Sequence, residues 1–368
     1  MAVTIKDVAK AAGVSPSTVS RTINNHYSIS EETKARVRQV MKELGYHSDK
    51  MNKVVRTIGV VFQRSVVDAY ENPIYLEIIR GISYICNKSH YRLEIITGAD
   101  YSEMTEGIIT AQADGYIFLY SNIDERVITH LTEKEIPFIM VGKPMDKSTT
   151  TLSVDTDNVQ AGYEAVKYLT ELGHTKIGYI GTERKGQFSL DRQIGYLQCI
   201  TEKRFPIRMD YILNISSSYS YNPTAILELL KRDDRPTAFV VCDDIYAVIM
   251  VRLIEEAGLR CPEDISLISF NNSIFARLMH PELTSFDINA NQLGMEAVSQ
   301  LIKHIETPTM FTTRTIVPFT LVKRRSCRRM EKASLYINLG FWLALKVFGV
   351  MFSKTFFFYS CCLCFWGA

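Results

Sequence analysis

The chain of 368 residues lacks what would announce an exported protein or an enzyme. Its start, MAVTIKDVAK, has no apolar run of a secretory signal, so a cytoplasmic location is expected and a disulfide framework is not. Five of the eight cysteines are scattered (86, 199, 242, 261, 327) and three crowd the end (361, 362, 364), which suits reduced thiols. Cys361 and Cys364 form one C-x-x-C pair inside an apolar tail, far short of a zinc site, and the seven histidines show no ligand spacing. There is no G-x-S-x-G and no H-E-x-x-H. GTERKGQF (181–188) has the two glycines of a phosphate loop but not its Lys-Ser/Thr. No enzymatic activity, metal or cofactor is expected. Repeats and low-complexity tracts are also missing before residue 326.

A large net charge is absent too, but the +2 total conceals an asymmetry. Residues 1–56 carry ten Lys/Arg against five Asp/Glu, a local +5 that leaves −3 for the remainder. A small basic head on a mildly acidic body points to a polyanionic partner for the head.

Three short helices fit residues 5–44. Thr4 and Asp7 suit an N-cap for the first, and Gly13 breaks the chain after it. Ser15-Pro16 then supplies a cap and a first-turn proline. Val19 and Ile23 share one face of this second helix, available to pack on Ile5, Val8 and Ala9, while Ser17, Ser20 and Arg21 share another. Small hydroxyl residues permit close approach to a groove, and an arginine can make a bidentate pair with a guanine edge. The third helix starts at Ser30, turns Val37, Val40, Met41 and Leu44 inward, and ends at Gly45. Its Lys34, Arg38 and Lys42, four residues apart, are expected to form a phosphate-facing stripe. Helix, glycine turn, capped helix and basic stripe together predict a helix-turn-helix.

From residue 57 short apolar runs (TIGVVF, RLEIIT, GYIFLY, PFIMVG, KIGYIG, TAFVVC, ISLISF) alternate with helices near 72–88, 158–172, 189–203, 223–232, 244–257 and 290–305. Such alternation predicts an α/β body of two lobes with parallel sheets. The tail differs. After LVKRRSCRRMEK comes LYINLGFWLALKVFGVMF, eighteen residues with one lysine. Length and flanking charge permit a marginal membrane segment, but the abrupt change of composition favours an appendage beyond a complete domain.

VTIKDVAKAAGVSPSTVSR and ISEETKARVRQVMKELGY resemble the headpiece of the lactose/galactose repressor (LacI/GalR) family. ENPIYLEIIRGIS, DTDNVQAGYEAVKYLTELGHTKIGYIG, DRQIGY, VVCDDIYA, DISLISFNNS, LTSFDINANQLGMEAV and PFTLVKRRS follow in that family's order. The similarity covers about residues 3–326 and is strongest to maltose-operon repressors. It implies an all-α helix-turn-helix headpiece (1–46), a shortened hinge (47–56), a body of two doubly wound parallel-sheet lobes resembling periplasmic sugar-binding proteins (57–326), and an anomalous tail (327–368). The function implied is a homodimeric repressor of maltose or maltodextrin genes that binds palindromic operator DNA and answers to a small sugar; the need for a corepressor protein stays open.

The resemblance places Ser15, Pro16, Ser17, Thr18, Ser20 and Arg21 at base- and backbone-reading positions and Val55 at the minor-groove wedge. It places Arg192, Asp243 and Asn271 among the effector's polar ligands, with Tyr75 and Phe286 offering flat apolar surface to a sugar ring. Strand carboxyl ends at a crossover reversal are where such sheets bind ligands. Asn271 stands where many relatives carry an acid. Two departures stand out: HSDKMNKVVRTIGVV shortens the hinge, and GADYSEMTEGIITAQADGYIFLY looks too short for the helix expected between two strands. A solute-binding transport protein shares the two-lobed body but not the basic head. A defective or membrane-tethered member of the family would account for the hinge and tail.

Overall fold

The structure, a computed structural model, describes residues 3–23, 29–46, 56–62, 72–98, 101–120, 123–144, 151–182, 187–216, 222–308 and 311–330. Val55, with the rest of the hinge, and the chain beyond 330 lie outside the described residues.

The N-terminal helices are α1 (Ile5–Ala12), α2 (Pro16–Ile23) and α3 (Glu31–Glu43). Thr4 and Asp7 close a capping box on α1, and Gly13 ends that helix at φ 65°, a left-handed conformation that costs glycine little. Ser15 Oγ accepts from the Thr18 N–H at 3.1 Å and Ser30 Oγ from the Thr33 N–H at 3.3 Å. Helices this short are marginal alone and depend on mutual packing. Val8, Ala9, Ala12, Val19, Val37 and Met41 provide it.

The body falls into two compact units. The first takes the chain to Asp157 and Ile288–Thr320. Its strands are β1 (Thr57–Val61), β2 (Arg92–Ile96), β3 (Gly115–Phe118), β4 (Phe138–Val141), β5 (Leu152–Asp155) and β11 (Arg314–Ile316), in sheet order β11-β5-β4-β3-β1-β2. Its helices are α4 (Pro73–Ser89), α5 (Tyr101–Ala111), α6 (Glu125–Glu133) and α12 (Ala290–Glu306). Ile58, Val60 and Ile117 pack against α4 and α12 on one face. Val61, Tyr116 and Phe118 pack against α5 and α6 on the other, the alternation of a sheet covered on both sides. The stretch that looked too short is therefore complete. Eleven helical residues span about 16 Å, as long as a five-residue strand, so α5 crosses its sheet without a longer segment.

The second unit takes Asn158–Arg184, Ser189–Asp287 and the chain from Leu321. Strands β6 (Ile177–Thr182), β7 (Ile212–Ile215), β8 (Ala238–Val241), β9 (Ser266–Phe270), β10 (Thr284–Asp287) and β12 (Thr320–Val322) lie in the order β12-β10-β9-β8-β6-β7. This repeats the first unit's connectivity. The helices are α7 (Asn158–Glu171), α8 (Gln187–Glu202), α9 (Thr224–Leu230), α10 (Asp244–Glu256) and α11 (Ile274–Leu278). β6 pairs in parallel with both β7 and β8, so the chain reverses direction across the sheet there. α7 and α8 cross in backbone contact, because a Cβ at Gly162 would overlap the Arg192 carbonyl and one at Gly195 the Val159 carbonyl.

Residues 327–330, expected to open the tail, belong to this unit. Arg328 N–H donates to Ser266 Oγ at 3.1 Å and Met330 N–H to the Leu172 carbonyl at 2.8 Å. His174, 1% exposed, holds the same segment through Nε2 to the Arg328 carbonyl at 3.2 Å and Nδ1 to Thr237 Oγ1 at 2.9 Å. Burial pushes its pKa down to about 4, so it is neutral at physiological pH.

Candidate nucleic-acid interface and effector site

The start of α2 is a hydroxyl cluster. Ser15 Oγ shares hydrogen bonds with Ser17 Oγ at 2.7 Å and Thr18 Oγ1 at 2.9 Å. Ser15, Pro16, Ser17 and Arg21 are exposed, and Thr18 and Ser20 are half-buried at the edge of the same face. Val19, fully buried, fixes the rotation of α2 so that this polar face points outward. The geometry offers short donors and acceptors flanked by one long cation, which suits a groove lined with base edges and phosphates.

The stripe on α3 differs from its expected form. Arg38 and Lys42 are exposed, but Lys34 is 4% exposed and its Nζ donates to Glu31 at 2.7 Å. Four residues advance a helix about 40° beyond a full turn, so a run at that spacing drifts around the surface. Lys34 falls on the inward side with Val37 and Met41, its stem serving as packing. Its ammonium in turn holds the Glu31 carboxyl below the ordinary range. The exposed cations on this domain are Lys6, Lys10, Arg21, Arg36, Arg38 and Lys42.

The second unit gathers four of the expected effector residues at the carboxyl ends of its central strands. Arg192, on α8, is 2% exposed. Its Nε donates to Asn158 Oδ1 at 2.9 Å, one Nη donates to the Cys242 carbonyl at 2.5 Å, and its guanidinium lies 4.3 Å above the Phe270 ring. Asp243 follows Cys242 and caps α10, Oδ1 accepting from the Ile245 N–H at 3.1 Å; its Oδ2 accepts from Asn271 Nδ2 at 2.8 Å. Asn271 stands at φ 99°, and its N–H donates to the Phe286 carbonyl at 2.7 Å. Amide and carboxylate are thus joined directly, and the guanidinium reaches their backbone neighbours through the Cys242 carbonyl and the Phe270 ring. Such a set can exchange hydrogen bonds with paired hydroxyls.

Phe286 does not offer an open face. At 2% exposure it stacks on Phe270, centroids 5.4 Å apart and planes 20° from parallel, and so supports the ring beneath Arg192. A phenylalanine at an interior strand position has neighbours on both sides, which is why its ring is covered. Tyr75 lies on the first unit, half-buried in the first turn of α4, edge-on to Phe62 at 5.8 Å just beyond β1.

Three participants were not singled out from sequence: Asn158, Phe270 and Asp244. Asn158 had a signal, since Asp-Thr-Asp-Asn before a helical run marks a helix start. Asp244, fully buried, was masked by its neighbour, because two consecutive aspartates do not reveal which one faces inward. The thiols of Cys242, Cys261 and Cys327 are each pushed up to about 12 by burial and stay protonated. Among the described residues no group of His, Cys, Asp and Glu could hold a metal, and no helix is long and apolar enough to cross a membrane.

Residues 4–49 match the family model described as bacterial regulatory proteins, lacI family, and residues 166–327 match the periplasmic binding protein-like domain. The chain is 32% identical over 348 residues to the HTH-type transcriptional regulator MalR of Streptococcus pneumoniae, a match that spans 88% of this chain and 100% of that protein. A crystal structure of a LacI transcriptional regulator from Bacillus cereus subsp. cytotoxis is similar at 32% identity and TM-score 0.70, over 76% of this chain and 100% of that one. A complex of the transcriptional regulator CelR with cellobiose is similar at 25% identity and TM-score 0.69, over 88% and 99%.

Proposed function

The chain belongs to the lacI family of bacterial regulatory proteins, and we propose that it is a cytoplasmic, non-enzymatic repressor of sugar-utilisation genes whose effector is maltose or a maltodextrin. The observation that carries this reading is the pairing of two sites on one chain. One is the outward hydroxyl-and-arginine face of α2; the other is the linked Arg192, Asp243 and Asn271 set at the strand ends of the second unit. In this reading two copies of residues 1–46 bind a palindromic operator, Ser15, Ser17, Ser20 and Arg21 meeting base edges and Arg38 a phosphate. Residues 57–330 bind the sugar and dimerise. The sugar acts by differential affinity for the DNA-competent and DNA-incompetent states, since a ligand that binds both equally shifts nothing. Maltose is favoured over other sugars by the similarity to a regulator named MalR; the cellobiose in the CelR complex makes a second disaccharide the natural control.

The test is a titration of purified protein against labelled operator DNA without sugar and with maltose, maltotriose, cellobiose or glucose. Release of the operator by maltose or maltotriose alone is expected. Operator binding that ignores every sugar would remove the effector reading and leave the DNA reading standing.

A further inference from the structure

Asp244, the first residue of α10, has no exposure at all, and its partners are two hydroxyls and a backbone amide. Ser269 Oγ, from β9, and Ser285 Oγ, from β10 at 2.8 Å, donate to Oδ1. The Ser273 N–H donates to Oδ2 at 2.7 Å. Ser285 Oγ also accepts from the Asn272 N–H at 3.0 Å, so that amide reaches the carboxylate through one hydroxyl. Two consecutive backbone amides, Asn272 and Ser273, therefore converge on Asp244.

They converge because Asn271 and Asn272 are both left-handed, at φ 99° and 48°. Neither is glycine, and such conformations persist only where the surroundings over-determine them. Successive amides in a turn of this kind form a concavity that fits an anion. Here the acceptor is a carboxyl side chain of the fold itself. Burial outweighs the donors and leaves the Asp244 carboxyl raised above the ordinary carboxylate range, while the donors from Ser269, Ser273 and Ser285 all point at its two oxygens. The strained turn has a visible product: it carries the Asn271 amide to Asp243 at 2.8 Å. Asn272 is held separately, its Nδ2 donating to Asp287 at 2.9 Å and its Oδ1 accepting from Arg324.

We propose that Asp244 is the positioning residue of the effector site, the internal acceptor that keeps Asn271 and Asn272 left-handed and thereby sets the Asn271 amide against Asp243 to receive the sugar. This rests on the effector reading above for its purpose, but the hold on the turn can be measured without any sugar.

The first experiment is residue-resolved hydrogen exchange on the full chain. Asp244→Asn replaces one acceptor oxygen with a donor, and exchange at the Asn272 and Ser273 amides should quicken about tenfold while Val240 and Ile268 in the core strands do not change. Should that variant fold poorly, Ser285→Ala removes only the hydroxyl relay and should quicken Asn272 but not Ser273. Unchanged exchange at both amides, or a uniform rise across the unit, overturns the proposal. The second experiment is a double-mutant cycle read by calorimetry with maltose. Asp244→Asn should weaken binding about tenfold in the natural chain, yet less than about twofold in an Asn271→Gly background, where neither strain nor amide remains to be held. Equal losses in the two backgrounds would mean that Asp244 is ordinary structural support. Absence of maltose heat with the natural chain would strike the sugar reading instead, and the exchange result would still decide whether Asp244 holds the turn.

Discussion

Replacing Arg192 with alanine is expected to damage the second unit as well as any ligand site. The guanidinium donates to Asn158 Oδ1 and to the Cys242 carbonyl, both inside residues at most 3% exposed. Withdrawing a donor from a buried acceptor costs about 1–3 kcal/mol each. Losing the cation above Phe270 adds about 0.5–2 kcal/mol. The expected loss is about 4 kcal/mol, a large part of the roughly 5–15 kcal/mol that a domain has in hand. Both tryptophans, Trp342 and Trp366, lie in the tail, so far-ultraviolet circular dichroism in urea is the proper probe. The midpoint of the second unit should fall by roughly 1.5–2 M. A loss below about 1 kcal/mol, with the transition slope unchanged, would refute the view that this arginine is part of the packing. If the large loss is found, a missing sugar response in Arg192→Ala cannot be credited to ligand contact alone, and Asp243→Asn becomes the cleaner probe.

Arg21→Ala should lose about 1–3 kcal/mol of discrimination between operator and random duplex per half-site, whereas Arg38→Ala should weaken both duplexes alike and lower the salt slope by about 1; identical behaviour of the two variants in filter binding across a salt series would overturn the division of roles. For His174 the folded pKa of about 4 lies below the ordinary 6.5, so the unfolded chain takes up the proton first. Its contribution is therefore whole above pH 6.5 and lost between there and about 4, and His174→Gln should lose about 2 kcal/mol less than the natural chain between pH 7 and pH 5 in paired urea titrations. Gly195→Ala gains about 1 kcal/mol in helix propensity but drives a methyl into the Val159 carbonyl, and a net loss of about 1–3 kcal/mol is expected on thermal melting, with sugar affinity falling and DNA binding kept. Truncation after Met330 should leave the melting profile intact; truncation after Ser326 should lower it, because the partners of His174 and Leu172 are removed, and equal profiles would show that 327–330 contribute nothing.

Sequence was most informative where one residue type does one local job. Thr4, Gly13, Ser15 and Ser30 punctuate α1–α3 by capping chemistry alone, and the central strands betray themselves as apolar runs because both faces are covered. Strands β5, β7, β10, β11 and β12 escaped notice, being three or four residues long and, toward the edges, half exposed. Lys34 was misplaced because a four-residue spacing looks like a stripe on paper and drifts inward on a helix. The polar set at Arg192, Asp243 and Asn271 was visible through family resemblance, yet its support was not: whether Phe286 is a platform or a prop, and which of Asp243 and Asp244 faces inward, depends on packing between strands far apart in the chain.

Both sheets are completed by one short stretch. β11 and β12 lie within nine residues, Arg314–Val322, the first beside β5 and the second beside β10. Val317 N–H bonds the Asp155 carbonyl at 2.8 Å and Ser153 N–H the Thr313 carbonyl at 3.2 Å, while Arg325 N–H bonds Glu282 at 3.0 Å beyond the other sheet. Until that stretch has been synthesised, each unit presents an inner strand as a bare edge with its backbone groups unsatisfied, the template on which chains join one another. A premature stop or frame change just upstream of residue 314 would therefore open two aggregation-prone edges at once. Such a lesion should send the product to inclusion bodies even though more than four-fifths of the chain, including every residue expected to touch DNA or sugar, had already been made.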